Sequence, residues 1–158
     1  MAKTASQCLR FAERVETLAQ ELYSTLAEAF AAEPALAALF RRLAAEEGQH
    51  ALRIRLLDRH GGRSPWPQEV AVRSCADLEA MAREMDAMRL EFASLGPEPD
   101  AGRVLGRLVS MEDRFHAVHA QELARCAAPE VERLFASLAS QDAAHHELLR
   151  AALLSTAA

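Results

Sequence analysis

Glu47 and His50 lie three residues apart in the stretch PALAALFRRLAAEEGQHALRIRLL, and both fall on its apolar side. With Glu47 set at zero and about 100° added per residue, Leu36, Phe40, Leu43, Ala44, His50, Ala51 and Ile54 all lie within about 60° of it. A carboxylate in the middle of an apolar stripe is costly to bury unless something compensates it. A cation shared with the imidazole one turn further on would do so. Carboxylate oxygen and imidazole nitrogen are donors that suit iron, manganese or zinc. One Glu-x-x-His on a helix is weak evidence, because such pairs are common on helix surfaces.

The pattern recurs. Setting PEVERLFASLASQDAAHHELLRAALL beside the first stretch with an offset of 95 pairs Pro34 with Pro129, Phe40 with Phe135, Glu47 with Asp142 and His50 with His145. Two upstream segments correspond at an offset of 96, which pairs Glu16 with Glu112 and Tyr23 with His119. The chain thus reads as one helical hairpin used twice. Glu112 and Asp142 are central in their own apolar stripes, and Glu16 lies on the flank of the first. At about 1.5 Å per residue, Glu16 sits roughly 24 Å and Glu47 roughly 21 Å from the hairpin turn between them. Antiparallel packing therefore puts each copy's two carboxylates at one level, and joining the copies can bring all four to one centre. Four carboxylates and two neutral imidazoles in a dry site carry about four negative charges, which two divalent cations neutralise.

The elements that must position these groups are five helical segments. The first is predicted over about 4–32, with Thr4 and Gln7 as a capping box. The second starts at Pro34 and stops at Gly61-Gly62. A loop with Trp66 between two prolines is expected to plug one end of the bundle. A shorter helix, ADLEAMAREMDAMRLEFA, carries Leu78, Met81, Met85, Met88 and Phe92 at spacings of three and four. They are read as a packing face, or alternatively as an adaptable lid or subunit contact, since methionine repacks easily. Asp100 is a candidate cap for the fourth segment, about 101–127, and Pro129 opens the fifth. The expected fold is an all-α four-helix bundle in a single domain, 1–158, built from hairpins 4–60 and 101–156. The crossover, 61–100, carries the extra short helix.

Composition narrows the function classes. Of 158 residues, 51% are hydrophobic but only 5% aromatic, which favours packed helices over a sandwich of sheets. The net charge of −5 argues against a general nucleic-acid surface. No apolar run approaches the roughly 18–20 residues of a membrane span, and charges interrupt the N-terminus at once. A cytoplasmic protein with no membrane or nucleic-acid partner is expected. Cys8, Cys75 and Cys126 form no C-x-x-C pair, so neither a cysteine-bound iron site nor a disulfide framework is expected. They are read as small buried hydrophobes.

Glu16, Ala19 and Tyr23 on the first helix, then Glu47 and His50 on the second, then a second copy of both, resemble the rubrerythrin-like branch of the ferritin-like superfamily over nearly the whole chain. The resemblance implies a ferritin-like bundle holding two iron ions, with manganese or zinc as alternatives. It implies Glu16, Glu47, His50, Glu112, Asp142 and His145 as metal ligands, with Tyr23 and His119 behind them. Where Glu is expected the second copy has Asp142, shorter by about one methylene. Phe115 stands opposite Ala19, where the additional glutamate of peroxide-reducing members would be, and His119 stands opposite Tyr23. A rubredoxin-type domain, present in full rubrerythrins, is not expected from these 158 residues. His116 and His146 also point inward by helical periodicity, and proton handling by His116, His119 or Tyr23 is expected. The function implied is oxidoreductase chemistry on peroxide, O₂ or Fe(II), with an external electron donor and a homodimeric assembly. A non-catalytic metal-binding module and a structural bundle with a decayed site are the alternatives.

Overall fold

In the computed structural model, residues 5–60, 68–96, 99–120 and 129–156 are described. They form an all-α bundle of helices α1 (Ala5–Ala29), α2 (Pro34–His60), α3 (Gln68–Ala93), α4 (Ala101–Val118) and α5 (Pro129–Thr156). Among them no helix is long and apolar enough to cross a membrane.

The helix ends follow from local chemistry. Pro34 opens α2, where its missing N–H has no intrahelical partner to lose. The Glu33 carbonyl takes the first backbone bond, from the Ala37 N–H at 3.0 Å. Asp100 caps α4: its Oδ1 accepts from the Arg103 N–H at 2.9 Å, satisfying one of the free donors of the first turn. The proposed cap at Thr4 and the loop around Trp66 lie outside the described residues.

α1 packs along α2 and along α3, and α4 packs along α5. The two hairpins then meet across a wider seam, where α2 approaches α5 and side chains span from α1 to α4. Two apolar clusters fill the interior. The larger joins Leu22, Leu26, Phe40 and Leu43 to Met85, Phe92, Leu108 and Phe115. The smaller joins Cys8, Leu9, Ala12 and Ile54 to Leu78, Phe135 and Leu138. Along α1, α2 and α5 the stripe passes from one cluster to the other through Glu16, Glu47 and Asp142, so a polar layer separates two dry ones.

Two expectations need adjusting. The crossover helix is 26 residues long, comparable to the others. No glycine or proline interrupts residues 68–93, so nothing stops the helix from extending N-terminally once the prolines are passed. Its methionine face is buried within the chain: Met81, Met85 and Met88 pack into the larger cluster. Cys8 is buried as expected but is disulfide-bonded. Sequence spacing excludes only a local pair; folding can bring distant cysteines within bonding range.

Candidate metal centre

Each of the four helices that line the seam supplies acid or imidazole groups to the polar layer. Glu16 comes from α1, Glu47 and His50 from α2, Glu112 from α4 and His119 from its C-cap, and Asp142 and His145 from α5. All seven are at most 1% exposed. Glu16, Glu47 and His50 bring three donor atoms within 4.8 Å of one another, as do Glu47, Glu112 and His145. Glu47 belongs to both groups. Its Oε2 is 2.9 Å from His50 Nδ1 and its Oε1 is 3.0 Å from His145 Nδ1. The imidazoles stack, with centroids 5.7 Å apart and planes 15° from parallel.

Tyr23 and His119 stand behind the carboxylates and follow the repeat crosswise. Tyr23 on α1 donates to Glu112 on α4. Its counterpart His119, the C-cap of α4, places Nε2 3.3 Å from Glu16 on α1, while Nδ1 donates to Asp142 Oδ2 at 2.7 Å. Tyr23 is itself held by Phe40, whose ring centroid is 6.3 Å away.

The layer is short of partners. Among the described residues, the buried side-chain nitrogens and oxygens without a hydrogen bond are Glu16 Oε1 and Oε2, Glu47 Oε1, Glu112 Oε2, His119 Nε2, Asp142 Oδ1 and His145 Nδ1. Every one belongs to this cluster. Buried polar atoms are nearly always paired, and an unpaired one costs about 1–3 kcal/mol. Seven converging orphans with oxygen and imidazole donors fit a pair of transition-metal cations, whose coordination would take them up.

Without a cation, protons hold the charge. Burial, helped by the charge on Glu47, raises Glu16 to about 8 against the facing imidazole of His50, 3.4 Å away. Burial likewise pushes Glu112 well above its usual range, with Glu47 adding to the effect. Burial would also raise Glu47, but the imidazoles of His145 and His50, at 3.0 and 2.9 Å, outweigh it and hold its carboxyl below the usual range. Burial lowers His50, yet Glu16 and Glu47 overcome this and bring it to about 11. His119 and His145 are raised too, against burial, by Asp142 and Glu47 respectively.

The Rubrerythrin family model matches residues 7–90. The chain belongs to the rubrerythrin family. No curated protein and no solved structure matches it. The rubrerythrin match contains Glu16, Tyr23, Glu47 and His50, and ends before Glu112, Asp142 and His145. It therefore covers the hairpin that keeps the family pattern and stops short of the one that departs from it.

The structure gathers all six residues that the rubrerythrin resemblance implies as ligands, but not equally. Asp142 is buried in the layer and turned onto His119, and it belongs to neither three-donor group. Two histidines expected to point inward do not reach the layer. His116 Nδ1 instead meets the backbone carbonyl of Ala139 at 2.9 Å, because a position one turn after Glu112 faces α5 across the hairpin. His146 lies beside Asp113 at 3.3 Å and Glu147 at 3.4 Å, on the outer side of α5.

Sequence reasoning missed Glu46 and Gln141. Glu46 Oε2 accepts from His145 Nε2 at 2.8 Å, and Gln141 Oε1 meets His50 Nε2. Extending the repeat by one residue before Glu47 and Asp142 would have paired them.

Proposed function

We propose that this rubrerythrin-family chain binds two metal ions, iron in the working form, between its hairpins, and that the loaded protein is an oxidoreductase acting on hydrogen peroxide. The cluster of seven buried, unpartnered donor atoms on Glu16, Glu47, Glu112, His119, Asp142 and His145 supports this reading above any other observation. Glu16 and His50 would hold one ion, Glu112 and His145 the other, with Glu47 between them. Manganese or zinc suits the same donors.

Iron held by these residues would supply redox chemistry: two electrons, with two protons from the medium, suffice to reduce one peroxide to two waters. The chain's own groups orient and exclude. Tyr23 fixes Glu112 through its hydroxyl. His119 Nδ1 holds Asp142 and its Nε2 faces Glu16, so this imidazole can keep a proton beside the layer. Phe115 and Phe135, both at most 1% exposed, flank the His119 ring at centroid distances of 6.3 and 5.8 Å and keep that side of the layer apolar. Return of the electrons requires an external donor. O₂ as oxidant and Fe(II) as the substrate oxidised are variants of the same chemistry. A homodimer is the assembly expected from the resemblance, and a cytoplasmic location is the one expected from the sequence.

A second reading, metal binding without turnover, is favoured by the engagement of Asp142 with His119, which leaves one carboxylate away from both three-donor groups. One experiment separates them. The metal-free chain is loaded anaerobically with Fe(II), analysed for metal, and given peroxide. About two ions per chain and peroxide loss faster than in the metal-free control support the oxidoreductase. Metal without peroxide loss supports the second reading, and retention of no iron, manganese or zinc overturns both.

A further inference from the structure

The two ligand histidines share one geometry and differ in what backs them. In each, Nδ1 faces the buried carboxylates: His50 Nδ1 lies 2.9 Å from Glu47 and 3.4 Å from Glu16, and His145 Nδ1 lies 3.0 Å from Glu47 and 3.9 Å from Glu112. In each, Nε2 points outward and meets the residue that precedes the other copy's acid, Gln141 for His50 and Glu46 for His145. The offset of 95 that relates Glu47 to Asp142 also relates Glu46 to Gln141. A two-fold relation is therefore kept in position and broken in charge.

That break has a direction. An imidazole N–H donated to a carboxylate makes the opposite nitrogen a stronger metal donor, and removing such outer partners costs about 10–100-fold in metal affinity. An amide oxygen carries no net charge and polarises the ring less. Arg42 Nε binds the Oε1 of Glu46 at 2.8 Å and leaves Oε2 to His145. Arg53 Nη1 approaches Gln141 Oε1 at 3.5 Å and so draws that oxygen's electron density away from His50. Both arginines, with Glu46 and Gln141, line a cleft of about 360 Å³ over the two imidazoles. The side chain of Glu46 is 37% exposed there, so an amide in its place has room and water.

Resting on the proposed two-ion reading, we propose that Glu46 makes the two metal positions unequal. The position of His145, Glu112 and Glu47 binds a divalent cation more tightly and fills first. The position of His50 and Glu16 fills second. Glu46 acts here as a positioning residue, through His145.

The test is titration of the metal-free full chain with Co(II) under argon, read by visible absorption against a competing chelator. The expected wild-type result is two steps whose affinities differ about 10–100-fold. His50→Ala keeps the tighter step and His145→Ala loses it. Glu46→Gln draws the two steps together. In the exchange variant Glu46→Gln/Gln141→Glu the order reverses, so that adding His50→Ala now removes the tighter step. Melting curves of the metal-free variants control for folding, and Gln141→Glu alone, which should also narrow the gap, serves if Glu46→Gln folds poorly. Two equal steps in the wild type, or a gap that Glu46→Gln leaves unchanged, would overturn the ranking while the two-ion reading stands. No Co(II) uptake at all would overturn both.

Discussion

Tyr23 on α1 donates its hydroxyl to Glu112 on α4, across the seam between the hairpins. The bond is buried, and no other hydrogen bond reaches Glu112 among the described residues, since its Oε2 has none. Tyr23→Phe should therefore destabilise the metal-free protein by about 1–3 kcal/mol, the cost of a buried acceptor left alone. Urea unfolding of both proteins checks this. With metal present the deficit should shrink, because coordination would engage Glu112 directly.

Glu47 and Asp142 are repeat counterparts with unequal reach. Glu47 touches both ligand histidines, whereas Asp142 is turned onto His119. Glu47→Gln is expected to reduce bound metal below one ion per chain. Asp142→Asn should lower affinity by about 10-fold or less, the lower end of losing an outer partner. Elemental analysis after loading and desalting distinguishes the two, and equal losses would contradict this assignment of roles.

His116 in the last turn of α4 and His119 at its C-cap should behave oppositely. His116→Ala removes a bond to a backbone carbonyl and should leave metal content unchanged. His119→Ala strips Asp142 of its donor and Glu16 of its facing nitrogen, and should weaken metal binding. Both variants can be compared in one chelator-competition series.

The pH dependence of the metal-free protein follows from the raised groups. Glu16 stays protonated in the folded chain to about 8, above its ordinary 4.5. Between those values the native state holds a proton that the unfolded state lacks, so stability falls as pH rises. His50, raised from 6.5 to about 11, contributes fully below the first value and loses its contribution toward the second. The signs agree. Glu47, held low, acts only on the acid side, where stability is lost as pH falls below its ordinary value. The melting temperature of metal-free protein should thus drop between about pH 5.5 and about pH 8.5. Added Mn(II) should diminish or reverse the drop, because cations displace the same protons. A metal-free melting curve that rises over this range would contradict the protonation pattern.

Much of this was legible in the chain itself. Period 3.6 gave the helices, and two offsets, 95 and 96, gave the duplicated hairpin and the partners of Glu47. What periodicity could not supply was side-chain direction at the edge of a stripe. His116 and His146 both looked inward from the wheel, and only the packing of α4 on α5 shows that one meets the Ala139 carbonyl and the other lies beside Asp113. Glu46 and Gln141 were missed for a related reason. They belong to the polar face of their own helices, and become neighbours of His145 and His50 only when two hairpins close. The length of α3 was underestimated because its first residues, QEVAVRS, carry little amphipathic signal next to a proline-rich loop. The bond at Cys8 was invisible to spacing rules, which see only neighbours in sequence.

The unequal reach of Glu47 and Asp142 also bears on descent. A bundle assembled from two copies of one hairpin would start with interchangeable halves. Here the halves differ, one carrying the longer acid and the phenol, the other a shorter acid and an imidazole at the matching positions. Replacing the second hairpin by another copy of the first would restore both lost groups. The reverse replacement would remove the one carboxylate that touches both ligand histidines. Only the first half carries the carboxylate that joins both ligand histidines, so the two halves are not interchangeable.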